Sequence, residues 1–182
     1  MNIRLVNITR DPTHIEDIKR LYLTSFPEDE RAPFDKLVRK AKRKDINFFA
    51  CMDGGKWIGM LYILNYKDLS YIFYLAVDER SRGRGYGTAI LKAALKKYQG
   101  RRFFLAIEQP DERADNFKQR LARQHFYENA GFERTGQRIQ EANVIYDMLG
   151  VGGRVQPSEY RSLIWGFAGL MMLKYTMKLY DS

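Results

Sequence analysis

The chain of 182 residues carries 31 basic and 22 acidic side chains, a formal charge of +9, and is 45% hydrophobic. A chain of this length buries roughly 70% of its unfolded surface, so it folds without a disulfide or metal staple. The lone Cys51 excludes an internal disulfide and a cysteine metal cluster, and fits a reducing compartment.

Several further exclusions follow. Met1 to Asn7 lacks the basic start and long apolar core of a secretory leader. The most apolar run, Leu163 to Leu173, is eleven residues, against the ~20 that a spanning helix needs. A cytoplasmic protein without a transmembrane segment is therefore expected. The positive charge admits an anionic partner or merely a solvated surface. Lys36, Arg39, Lys40, Lys42, Arg43 and Lys44 cluster on one expected helix without interleaved aromatics, so nucleic acid is not expected as a partner.

In chain order, Ile3 to Ile8 alternates as a first strand. Asp11 as N-cap and Pro12 at the first helical position predict an amphipathic helix over 12–25, with Ile15, Ile18, Leu21 and Tyr22 inward. Phe26 to Arg31 is a charged connector, and Pro33 opens a second short helix. Strands over Asn47–Met52 and Trp57–Leu64 flank the hairpin signal Asp53-Gly54-Gly55. Tyr71–Val77 is an apolar run, as expected for a strand buried on both faces. A glycine loop follows, then a helix with Ile90, Leu91, Ala94 and Leu95 on its apolar side.

Phe103 to Ile107 reads as a further buried strand, stopped by Pro110. Residues 112–129 predict a helix closed by Gly131. Strands over Phe132–Arg138 and Asn143–Leu149 come next, and residues 157–180 read as a C-terminal helix. The expected fold is an α/β sheet of mixed direction flanked by helices, with that extra helix at the end. Ligands of such sheets sit at the carboxyl ends of strands, which points to the crossing from Val77 to Thr88.

Arg82-Gly83-Arg84-Gly85-Tyr86-Gly87 stands between the buried strand and the helix start. Its glycines let the backbone curl and approach a ligand. Exposed N–H groups and the positive helix end then make an anion site suited to a pyrophosphate. The dinucleotide pattern fails, because Thr88 stands where its third glycine belongs, and no Gly-Lys-Ser/Thr of a P-loop is present.

Tyr74-Leu75-Ala76-Val77-Asp78-Glu79-Arg80-Ser81 running into that loop resembles the cofactor signature of the GNAT superfamily of N-acetyltransferases. That signature is an apolar strand ending in Val, then Arg or Gln, then x-x-Gly-x-Gly or Ala. A second block of the family, an aromatic pair on a helix followed by Gly-Phe, is matched by Phe126-Tyr127-Glu128-Asn129-Ala130-Gly131-Phe132. The resemblance implies a GNAT domain over residues 1–149. Residues 150–182 then form a helical extension packed on the domain or on a second copy of the chain.

The same resemblance implies binding of acetyl-coenzyme A as cosubstrate and direct attack on it by a small-molecule or peptide amine, with no covalent enzyme intermediate and no metal. The amides from Arg82 through Gly83, Arg84, Gly85, Tyr86 and Gly87 to Thr88 would hold the pyrophosphate, and Leu75, Ala76 and Val77 would pair with the pantetheine arm. Tyr127 would be the acid facing the departing thiolate. Glu108, at a strand end, would be the base or the ammonium's partner, with Glu28, Glu30 and Arg31 bordering the acceptor pocket. Many members have an Asn seven residues before the helical Tyr; here Arg120 stands there, with Asn116 one turn earlier as the remaining Asn candidate. A non-catalytic coenzyme A sensor of the same fold is the alternative.

Overall fold

The computed structural model describes residues 1–141, 144–169 and 177–181, which form two compact units. The first comprises Met1–Leu64 and Ile72–Gln99; the second comprises Asn65–Tyr71 and Gly100 onward.

In the first unit β1 (Ile3–Asn7) pairs antiparallel with β2 (Ile46–Asp53), and β2 with β3 (Lys56–Tyr66). The hairpin turns through Gly54-Gly55, with Gly54 left-handed at φ +59°. β3 neighbours β4 (Leu69–Val77), and helices α1 (Ile15–Ser25), α2 (Phe34–Lys40) and α3 (Tyr86–Lys97) complete the unit. Ile18, Tyr22, Leu37, Phe48, Tyr62 and Ile90 are buried in its core.

The second unit holds the first residues of β4, whose Leu69–Tyr71 pair in parallel with Arg102–Phe104 of β5 (Arg102–Glu108). β5 pairs antiparallel with β7 (Val144–Val151), β7 with β6 (Glu133–Glu141), and β6 with β8 (Met177–Asp181). Helices α4 (Phe117–Asn129) and α5 (Pro157–Ala168) belong to the same unit. The sheet is thus mixed and mostly antiparallel, as expected.

Three elements differ from the sequence reading. α1 begins at Ile15 rather than Pro12, and α4 at Phe117 rather than 112. Both delays have one cause: Asp11 accepts the Thr13 N–H at 3.1 Å, and Asp111 the Arg113 N–H at 3.0 Å. Each aspartate closes a turn on the amide two residues ahead, which competes with helix formation.

The third difference is at the end of the chain. The predicted helix over 157–180 stops at Ala168, where Gly169 takes φ +63°, and Met177–Asp181 is a strand on β6. The apolar run continues in the sequence past this stop, which hydrophobicity alone does not signal. Leu163 and Phe167 are buried as a packed helix requires, whereas Trp165 is exposed. Leu170, Met171, Met172, Leu173 and Lys174 lie outside the described residues.

Arg102 anchors the second unit electrostatically. Its guanidinium takes Asp68 through two bonds (2.7 and 2.9 Å) and Glu159 of α5 through two more (3.0 and 2.6 Å). The Arg102 hydrogen bonds hold the Asp68 carboxyl down at about 2, and Arg102 likewise lowers that of Glu159. A carboxylate with a depressed folded-state pKa contributes stability that is full above its unfolded value and vanishes as pH falls through the folded one. The urea midpoint should therefore fall as pH drops from about 4 toward 2. An Arg102→Met variant should start lower and lose less over that window. An equal acid slope in both proteins would refute this.

Candidate functional site

The first unit supplies the glycine loop. Asp78 N–H donates to Ile58 O of β3 at 2.9 Å, and its carboxylate accepts the Arg80 N–H at 3.1 Å, starting a 3-10 turn over Glu79–Ser81. Backbone groups alternate edges along a strand. Leu75 and Val77 therefore turn theirs to the edge of β4 facing away from β3. There the Arg82 Nε donates to Val77 O at 3.1 Å.

Gly83 (φ +71°) and Gly85 (φ +77°) then swing the chain into α3. A Cβ on Gly83 would meet nothing within 4 Å, and one on Gly85 only the Met1 Cε at 3.7 Å. These glycines are therefore needed for their backbone angles, and the space above them is open.

Gly85 is the N-cap of α3, with no side-chain cap and no acidic residue in the first turn. Arg82 N–H is used by Glu79 O at 3.2 Å. The N–H groups of Gly83, Arg84, Gly85, Tyr86, Gly87 and Thr88 find no acceptor among the described residues. Uncapped amides at a helix start carry partial positive charge, and the exposed Arg82 and Arg84 flank them. The loop is pinned from one side: Tyr86 OH donates to Asp53 Oδ2 at 3.0 Å, while Asp53 Oδ1 accepts the Asn2 N–H at 2.8 Å.

The connector with Glu28, Glu30 and Arg31 is also in this unit, held by its backbone. Tyr74 OH donates to Glu30 O (2.9 Å) and accepts the Ala32 N–H (3.2 Å), and Tyr22 OH donates to Ala32 O (2.9 Å). Tyr22 and Tyr74 are buried and pack edge to face at 5.0 Å. Glu28 and Glu30 are exposed, and Arg31 donates to Leu23 O at 2.8 Å.

In the second unit Glu108 ends β5, and its Oε1 pairs with Arg120 of α4 at 2.9 Å. Arg120 also donates to Asn116 Oδ1 at 2.7 Å and to Gln109 O at 3.1 Å. Glu108, Asn116 and Arg120 are thus one cluster. The i, i+4 spacing of Asn116 and Arg120 was a readable sign of it, whereas the links of Arg120 to β5 carried no local signal.

Tyr127 lies two turns further along α4, half-buried, with its ring edge to face on Phe132 at 6.1 Å. Burial pushes its phenol above the ordinary value of 10.0, and the positive Arg123 offsets this in part. Among the described residues no group of three or more His, Cys, Asp and Glu gathers as metal ligands would, and no helix is long and apolar enough to cross a membrane.

The family model of the GNAT acetyltransferases matches residues 15–132, from α1 through the loop and Tyr127 to the Gly-Phe that follows. The chain belongs to the GNAT acetyltransferase family. Among solved structures, a GNAT-family protein from Bacteroides thetaiotaomicron is similar with a TM-score of 0.66 and 17% identity, covering 94% of this chain and 98% of that one. An aminoglycoside 6'-N-acetyltransferase complexed with coenzyme A gives 0.64 and 15%, covering 86% and 99%. The ribosomal-protein-S18-alanine N-acetyltransferase from Escherichia coli gives 0.59 and 16%, covering 85% and 96%. At such identities these likenesses establish the GNAT fold. No curated protein sequence matches the chain.

Proposed function

We propose that this GNAT protein is an acetyl-coenzyme A-dependent N-acetyltransferase that acetylates a primary amine by direct attack on the thioester. The observation that carries the reading is the run of acceptor-less amides from Gly83 to Thr88 at the uncapped start of α3. A pyrophosphate supplies the acceptors they lack, and charge-assisted bonds from Arg82 and Arg84 contribute about 1.5–3 kcal/mol each. The outward edge of β4 at Leu75, Ala76 and Val77 receives the pantetheine arm. The Val77 N–H polarises the thioester carbonyl.

The incoming alkyl ammonium must lose a proton, which costs about 4–5 kcal/mol at pH 7. Glu108 receives that ammonium, with Glu28, Glu30 and Arg31 bordering the acceptor. The ammonium's protons pass through Glu108 or through water to solvent as the C–N bond forms and the C–S bond breaks to release the coenzyme A thiolate. Tyr127 serves the departing thiolate. A thiol near 8.5 is a stronger acid than a phenol held above 10, so full proton transfer from Tyr127 is uphill by at least about 2 kcal/mol. Tyr127 therefore acts as a protonated hydrogen-bond donor. Asn116 would offer the cofactor arm chiefly the NH₂ of its amide, since Arg120 already engages its oxygen.

Thiol release from acetyl-coenzyme A across aminoglycosides, polyamines and N-terminal peptides tests the assignment. Amine-dependent turnover is expected. Tyr127→Phe should lower kcat by roughly 10–100-fold, at or below the low end of the ~100–10,000-fold typical of a general acid or base, as befits a hydrogen-bond donor. Because its raised pKa keeps Tyr127 protonated, it should give no alkaline loss of kcat below about pH 10. A loss there that disappears in Tyr127→Phe would refute that role. Coenzyme A binding without turnover on any amine would favour the sensor instead.

A further inference from the structure

The Arg120 cluster goes beyond this reading and rests on it. The planar guanidinium reaches three different places: Nε donates to Asn116 Oδ1 at 2.7 Å, Nη1 donates to Gln109 O at 3.1 Å, and Nη2 forms an ion pair with Glu108 Oε1 at 2.9 Å. The side chains of Arg120 and Glu108 are 21% and 17% exposed, so water competes little for these bonds. A lysine, a point charge on a flexible stem, cannot reproduce the fork.

Arg120 is not a free surface cation, because each of its nitrogens has a partner inside the second unit. Nor is it a surface ion pair, because it ties the end of β5 to the first turn of α4. Asn116, at the N-cap position, makes no side-chain cap on that helix, its oxygen being held by Arg120 instead. The opposite edge of the cluster is braced too, since Gln109 Nε2 donates to Asp147 Oδ1 of β7 at 2.7 Å. The Glu108 carboxylate is half engaged: Arg120 Nη2 pairs with Oε1, and Oε2 accepts no hydrogen bond among the described residues. Arg120 and Tyr127 are seven residues apart, which on an α-helix falls within about 20° of the same face.

We propose that Arg120 is a positioning residue for acyl transfer, its guanidinium fixing Glu108 so that Oε2 is the anchor for the acceptor's ammonium. A neutral or anionic acceptor finds no counterpart there, so the substrate class is an amine that arrives protonated.

The test uses the full chain as wild type, Arg120→Ala, Arg120→Lys, Glu108→Gln and the Glu108/Arg120 double variant. Coenzyme A affinity is read by calorimetry, kcat and KM on the best amine by thiol release, and folding by the urea midpoint. Both Arg120 variants should keep coenzyme A affinity within threefold. KM for the amine should rise at least tenfold, with a smaller change in kcat. Added methylguanidinium should restore part of the loss in Arg120→Ala and none in Glu108→Gln. The double variant should be no worse than the poorer single one.

Loss of coenzyme A affinity with unchanged amine kinetics would overturn the proposal in favour of a cofactor contact. Losses that add, or that follow the urea midpoint without rescue, would reduce Arg120 to packing. A wild type that acetylates no amine would overturn the enzymatic reading itself, whereas active wild type with kinetically normal Arg120 variants would overturn this inference alone.

Discussion

Gly85→Glu is expected to weaken coenzyme A binding by at least about 100-fold, equivalent to about 2.7 kcal/mol. Gly85 combines two properties in one position. Its φ of +77° disfavours any L side chain, by about 1–2 kcal/mol. It also caps α3 where the acceptor-less amides converge. A carboxylate there would repel a pyrophosphate and compete for the N–H groups meant for it. Gly85→Ala separates the two effects, because its Cβ meets only the Met1 Cε at 3.7 Å. It should lose about 1 kcal/mol of stability and less than about tenfold in affinity. The glutamate, favourable at a helix N-terminus, should be no less stable than the alanine. Calorimetric titration of the three proteins decides the matter: equal affinity in a folded Gly85→Glu would remove the pyrophosphate from this loop.

A second large effect is expected at Gly59→Ala, through stability rather than charge. A Cβ at Gly59 would stand 2.3 Å from Ala76 O and 3.1 Å from Val77 Cα, both backbone atoms. Neither can rotate away, so β3 and β4 must part at the end of β4 where the loop begins. Overpacking of this kind costs about 3 kcal/mol. Gly55→Ala is the control, since its Cβ meets nothing within 4 Å and its φ is not positive; it should change stability by less than about 0.5 kcal/mol. Urea midpoints that fall equally in the two variants would show that the contact is relieved by small backbone shifts.

The sequence was informative wherever the determining interactions are local. Alternation and apolar runs placed β1 to β5, and the Arg82–Gly87 loop identified itself by its glycines. It failed where a side chain competed with the backbone nearby or paired far away. Asp11 looked like a helix cap but closes a turn of its own, as does Asp111 ahead of α4. β8 is a strand because Gln137 to Glu141 lies alongside it, a partner that no reading of Met177 to Asp181 alone supplies. Glu108 was legible as a charged strand end, but its bond to Arg120 was not, because only folding brings the end of β5 against α4. The departure from the family's Asn was visible at Arg120, and its meaning required the two hydrogen bonds and the ion pair around the guanidinium.

The buried tyrosines that hold the connector between α1 and α2 do so through the Glu30 carbonyl and the Ala32 amide and carbonyl. Main-chain groups are common to all residue types, so this anchorage is indifferent to which side chains the connector displays. Charge, size and polarity at the exposed position 28 can therefore change while the backbone anchorage beneath it stays fixed. On the proposed role of this connector at the acceptor, a lineage carrying Tyr22 and Tyr74 could move from one acceptor to another by exchanging exposed residues, with little loss of foldedness along the way. Such an arrangement makes a new specificity accessible by single steps.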